Sequence, residues 1–118
     1  MTNLERSEHI SQLMAQGKLL EAFDTYYHND VVKVEGDGTV VEGKAANRET
    51  QVQWMESVAG MHGGGDISRA EDPATGTVFL ETWADIEFKN GTRHKMEQVE
   101  VQTWKDGLIT RIRFYYNA

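Results

Sequence analysis

Two short turns, Lys89-Asn90-Gly91 and Lys105-Asp106-Gly107, join three strand-like runs at residues 77–88, 94–104 and 108–116, and the length of each turn decides which side chains face inward. In the first run Val78, Leu80, Thr82, Ala84, Ile86 and Phe88 alternate onto one face, as a half-buried strand requires. The last run gathers Leu108, Thr110, Ile112, Phe114 and Tyr116 on one side, with Arg111 and Arg113 on the other. The middle run offers two faces: Met96, Gln98, Glu100, Gln102 and Trp104, or Lys95, Glu97, Val99, Val101 and Thr103. Only one of them can join its neighbours' apolar sides.

A one-residue slip exchanges those faces. If Asn90-Gly91 and Asp106-Gly107 are two-residue type I′ loops, Thr82 meets Val99, Val101 meets Ile112, and the shared face is uniformly apolar. If each turn is a three-residue loop closed by a glycine bulge, Leu80 meets Glu100, Glu100 meets Ile112, and a carboxylate goes inside. The pattern of Val99 and Val101 by itself favours the apolar register.

Upstream, Thr2-Asn-Leu-Glu5 has the spacing of a capping box, and Leu4, Ile10, Leu13 and Met14 recur at helical spacing as far as Gly17. A second amphipathic stretch, residues 18–27, is broken by Asn29-Asp30. Residues 31–35 read as a strand with Val32 and Val34 inward, turning through Gly36-Asp-Gly38 into residues 39–42. Gly43 opens a third helix that carries Val52, Trp54, Met55 and Val58; residues 59–65 read as a flexible glycine-rich exit and residues 66–70 as a short strand. Helices, a hairpin, another helix and then long strands imply an α+β fold with the helices on one side of a curved sheet.

A chain of 118 residues with 39% hydrophobic and 26% charged content fits one globular domain, residues 1–118. Its formal net charge of −7 argues against a nucleic-acid partner, which needs a basic surface. The absence of cysteine excludes disulfides and thiol catalysis and fits a reducing compartment. No leader-like or membrane-spanning stretch is visible, so a cytoplasmic location without membrane association is expected. No histidine pair has the i, i+4 spacing of a helical zinc site, and no phosphate-loop glycine pattern surrounds Asp37 and Gly38; neither a metal nor a cofactor is expected.

Residues 17–23 and 27–31, the stretch Val40-Val-Glu-Gly-Lys44, the turn Trp104-Lys-Asp-Gly-Leu-Ile109 and the end Arg113-Phe-Tyr-Tyr116 occur in an order and spacing that resembles the nuclear transport factor two-like superfamily. Within it the chain looks like the SnoaL-like members, which are related to polyketide cyclases and ketosteroid isomerase. The resemblance spans the whole chain. It implies a cone-shaped, strongly bent antiparallel β-sheet packed against three N-terminal helices, an α+β barrel around a pocket, and a homodimer through the outer sheet face. It also implies that Glu100, Ile112 and Tyr116 face the pocket, which favours the bulged register. By the ketosteroid isomerase pattern Glu35 matches the base and Glu100 the oxyanion-stabilising acid. The pattern's helix-one tyrosine is missing, with Ile10 nearest, and both acids are glutamate in place of aspartate, so steroid isomerisation itself is not expected.

The candidate catalytic residues are therefore Glu100 as acid, Glu35 as base and His94 as a proton shuttle on the Glu100 face. Strand alternation pulls the other way for Glu35, pointing it outward. Gln98, Gln102, Trp104, Ile112, Phe114, Tyr116, Trp54 and Leu80 form the candidate ligand pocket, suited to a small hydrophobic or aromatic molecule with a carbonyl or hydroxyl. Phe79, Trp83, Val99, Val101, Ile109 and Tyr115 would then make an outer apolar patch for a second copy. A non-catalytic ligand-binding or dimerisation domain of the same fold is the alternative.

Overall fold

The computed structural model describes residues 1–116. Helix α1 (Asn3–Ala15) starts at the expected capping box: Thr2 Oγ1 accepts from the Glu5 amide at 3.1 Å, and Glu5 Oε1 accepts from the Thr2 amide at 2.9 Å. Helix α2 (Leu19–Tyr26) runs directly into strand β1 (Tyr27–Val34), which turns back into β2 (Val40–Glu42). Helix α3 (Lys44–Ser57) follows, then the long strands β3 (Val58–Asp72), β4 (Thr77–Phe88), β5 (Arg93–Lys105) and β6 (Leu108–Tyr116). Among the described residues no helix is long and apolar enough to cross a membrane.

The six strands lie in the order β2-β1-β6-β5-β4-β3, a curled sheet that does not close. The sheet is mixed where an antiparallel one was expected, because β6 returns beside β1 in parallel. Helices α1 and α2 bring Ile10, Leu13, Ala22, Phe23 and Tyr26 against Val31, Val78, Trp104, Ile109 and Ile112 in one buried cluster. Fully burying a side chain such as Ile109 or Ile112 contributes about 1.5–3 kcal/mol, so this cluster holds the helices on the concave face.

The turns resolve the register in two different ways. At Lys89-Asn90-Gly91 the three-residue loop forms: the Phe88 amide donates to Thr92 O, the Gly91 amide donates to Phe88 O, and Gly91 has φ 91°. Leu80 accordingly pairs with Glu100. At the second turn the expected three-residue loop is replaced by a two-residue one, since Lys105 pairs with Leu108 and both Asp106 (φ 52°) and Gly107 (φ 80°) are left-handed. The extra residue sits inside β6, where Trp104 pairs with Ile109 but Thr103 with Arg111, leaving Thr110 unpaired as a bulge. Past the bulge Glu100 pairs with Phe114 instead of Ile112, and Ile112 with Gln102. Ile109 is fully buried, not part of the outer patch, because the two-residue turn sets it opposite Trp104, ahead of the bulge.

Two further expectations change. The glycine-rich stretch is strand, not a flexible exit: residues 60–65 pair along β4, and Gly63 lies so close to the Trp83 ring that a Cβ there would stand 2.9 Å from it. Three register shifts along β3 explain why no alternation was visible. In β1, Val32 and Val34 pair with Arg111 and Arg113 and share the convex side with them, while Val31 and Lys33 are buried on the helix side.

Asn47 of α3 secures the junction of β1, β2 and α3. It is 1% exposed, and its Nδ2 donates to Gly43 O (2.8 Å), Val41 O (3.0 Å) and Val31 O (3.4 Å). Asn47→Ala removes the donor those carbonyls share and should lower unfolding free energy by about 2 kcal/mol in urea titrations. Asn47→Asp should cost more, because it turns a carboxylate oxygen toward the same carbonyls; equal stability of the two variants would contradict this account.

Candidate functional site

Pairing across β3, β4, β5 and β6 sets Arg69, Leu80, Glu100 and Phe114 in one row over the concave face. Glu35 follows Val34, the partner of Arg113, and so lies beside Phe114 at the far end of that row. Adjacent strands are about 4.8 Å apart, which puts Glu35 and Arg69 each about 10 Å from Glu100 at the level of the backbone. Leu80 and Phe114 are the apolar side chains between them.

Glu100 is held from one side by a hydrogen-bonded chain. The Trp104 indole Nε1 donates to Gln102 Oε1 at 3.1 Å, and Gln102 Nε2 donates to Glu100 Oε1 at 2.8 Å. An indole can only donate, so the Gln102 amide has one orientation and presents its NH₂ to the carboxyl. The residue retains some accessible surface, but its carboxyl is enclosed, and this burial pushes its pKa up. The Gln102 hydrogen bond opposes the shift, Asp66 adds to it and Arg69 opposes it more weakly. Tyr27 stands in the same environment: burial first, and the Glu100 charge second, push its phenol pKa up.

Glu35 faces the helix side, against the outward direction that alternation of Val32 and Val34 implied. Its Oε1 is 3.0 Å from Lys33 Nζ, which also donates to Thr50 Oγ1 of α3 at 3.0 Å. The Lys33 side chain is only 8% exposed. Arg69, on the other flank, donates to Ser7 and Ser11 of α1 and pairs with Asp66 at 3.1 Å.

The remaining candidates fall in several places. Gln102, Trp104 and Ile112 are buried beside the row; within the row Leu80 is buried and Phe114 half-buried. Gln98 and Tyr116 pair with each other and, with Thr82, Val99, Tyr115 and Ile67, line an open cleft of about 330 Å³ where β6 ends. Tyr116 also packs so closely on Gly36 that a Cβ there would lie 2.6 Å from its ring. Trp54 is on the exposed side of α3. His94 is exposed and against Phe88; it lies six residues along β5 from Glu100, about 20 Å at ~3.4 Å per residue, and the fold does not bring the two together. His62 sits in β3, with Nε2 2.9 Å from Glu87 Oε1. Among the described residues no group of three or more His, Cys, Asp or Glu side chains is placed to hold a metal ion.

Lys33, Arg69 and Tyr27 were not singled out from the sequence. A lysine within Val31-Val-Lys-Val34 is a legible signal, since a charge in an apolar run asks for a buried partner. Arg69 gave none, because it follows directly on the last of the register shifts that erase the period of β3.

The SnoaL-like domain model matches residues 1–116. No curated protein matches the sequence. Among solved structures, a Mesorhizobium loti protein described as a SnoaL-like polyketide cyclase is 31% identical, with 98% of this chain and 100% of that chain covered and a TM-score of 0.85. A Bacillus subtilis protein described as an isomerase shares the fold at 18% identity, 99% and 90% coverage and a TM-score of 0.82. TerC, co-crystallised with polyporic acid, shares it at 19% identity, 98% and 91% coverage and a TM-score of 0.77. The chain belongs to the SnoaL-like domain family.

Proposed function

We propose that the concave face binds a small hydrophobic or aromatic molecule bearing a carbonyl or hydroxyl, and that Glu100 and Glu35 carry out an isomerase- or cyclase-type proton transfer on it. The observation that carries this reading is the Trp104–Gln102–Glu100 chain. It gives Glu100 Oε1 a hydrogen bond and leaves the acid's own proton for Oε2 and the ligand. In the reaction a carbon next to the ligand carbonyl gives its proton to the Glu35 carboxylate, or to a water beside it. The C–H electrons move to the carbonyl oxygen, where the Glu100 hydroxyl stabilises the charge, and the proton returns at another carbon. Half-buried Phe114 supplies apolar surface for the ligand body. TerC's co-crystallisation with polyporic acid supports the small-molecule part of the reading.

Glu100→Gln tests the assignment. A carboxyl whose folded pKa is raised lets the native state hold more protons than the unfolded chain between the two pKa values, so stability falls as pH rises through that interval. Glutamine removes the loss and can still accept from Gln102. The variant's stability relative to the parent should therefore increase from pH 4 to pH 7 in urea titrations, while turnover of any substrate is abolished and ligand binding survives. Unchanged turnover would remove Glu100 from the chemistry, absence of turnover in the parent would leave a non-catalytic binding domain, and an NMR titration of Glu100 at the ordinary carboxylate pKa would remove the premise.

The convex face supports a second element of the proposal, a homodimer. Phe79 is 43% and Tyr115 52% exposed there, alongside half-buried Val99 and Val101. Arg113 lies over the Tyr115 ring at 4.8 Å, and its Nε is buried without a protein partner among the described residues. A second copy would cover the apolar surface and can bring an acceptor to Arg113. Tyr115→Glu should convert a dimer into a monomer in sedimentation equilibrium; a parent chain already monomeric at high concentration would count against the dimer.

A further inference from the structure

We propose that the ligand of the concave face is an anion, a flat apolar body carrying a carboxylate or an ionised enol, and that Arg69 is the residue that selects it. The inference rests on the reading of that face as the ligand site and adds the chemical class of its occupant. Arg69 pairs with Leu80, the residue opposite Glu100, so its guanidinium starts from the same row as the acid and on the helix side of the sheet. The side chain is 14% exposed. Four contacts hold it: Nε donates to Ser7 Oγ at 3.1 Å, and Nη2 faces Ser11 Oγ at 2.5 Å, Asp66 Oδ2 at 3.1 Å and Ser7 O at 3.3 Å.

Those contacts use one edge of the guanidinium. Nη2 has two protons for three acceptors, while Nη1, with two protons of its own, has no hydrogen-bond partner among the described residues. Ser7 is fully buried and Ser11 lies one helical turn further along α1, so the fork is fixed before any ligand arrives. A guanidinium with one edge anchored and Nη1 left over can donate a charge-assisted hydrogen bond to an anionic oxygen. The chain's formal charge of −7 works against anions in general, so recognition depends on these local donors. An acidic oxygen on Nη1 would point the ligand body along the row toward Glu100, whose hydroxyl meets the carbonyl or hydroxyl at the other end.

Isothermal titration with 2-naphthoate and 2-naphthamide separates the charge from the ring system they share. The intact protein should bind the carboxylate about tenfold more tightly than the amide, as one added charge-assisted hydrogen bond implies. Arg69→Gln should bring that ratio to about one. Since Arg69 also ties α1 to the sheet, Asp66→Asn supplies an arm that leaves Arg69 in place. It removes the competing carboxylate and should tighten 2-naphthoate several-fold with the amide unchanged, a gain that a purely structural Arg69 would not give. Equal affinity of carboxylate and amide in the parent, or no gain in Asp66→Asn, overturns the anionic class and leaves the site reading standing. If neither probe perturbs the Gln102 side-chain amide or Glu100 carboxyl resonances, the site reading falls as well.

Discussion

One unpaired residue, Thr110, sets the face on which the interior half of β6 lies. Between the tight turn at Asp106-Gly107 and the bulge, Ile109 is inward; beyond it, Ile112 is inward too, three residues later where strict alternation allows two or four. Without that insertion the two-residue turn would pair Val101 with Ile112, turning Ile112 and Phe114 to the convex side and Arg111 and Arg113 to the helix side, while Glu100 stays opposite Leu80. The bulge therefore decides that Ile112 and Phe114, not the two arginines, flank Gln102 and Glu100 on the concave face. The placing of Glu100 in line with Leu80 and Arg69 is set separately, by the three-residue turn at Lys89-Asn90-Gly91 and the pairing of β3 with β4.

The fold was legible because its signals are local and redundant. The capping box, the left-handed glycines at positions 17, 43 and 91 and the alternation of β4 each act within a few residues, and the resemblance of the ordered motifs supplied the curved sheet and three helices. The site was legible only in part, since it depends on where strands slip. The register of β5 against β4 followed from one turn type and was read correctly, but the β5–β6 register was reached through a wrong second turn. Its parity survived because a two-residue loop plus one strand bulge shifts the faces as a three-residue loop does. Ile109 shows the limit: it lies between turn and bulge, so its face was misread. Irregular pairing hid β1 likewise, where the shift between Tyr27 and Val32 makes Val31 and Lys33 the inward pair.

The same irregularity explains the glycine stretch. Composition alone suggests a loose segment, since glycine gives up more backbone freedom than other residues on entering a strand. Trp83 supplies the missing side-chain surface, lying against Gly63 and near Gly64 and Gly65. A long-range partner has overridden a local propensity, while Arg69 is placed on the row of Glu100 by the nearby turn across which Asp72 pairs with Thr77.

Charge balance across that row separates the two carboxylates that sequence comparison treats as a pair. Glu35 has a cation 3.0 Å away, and Asp66 has Arg69 at 3.1 Å; in each case a buried or half-buried charge is compensated by its opposite. Glu100 has a neutral amide in that place, and the nearest cation is engaged with Asp66. Desolvation therefore outweighs every favourable contact at Glu100 and pushes its pKa up. The difference follows from the partners and not from the residue type: of two glutamates on one concave face, one has the neutral Gln102 amide beside it and the other the Lys33 ammonium.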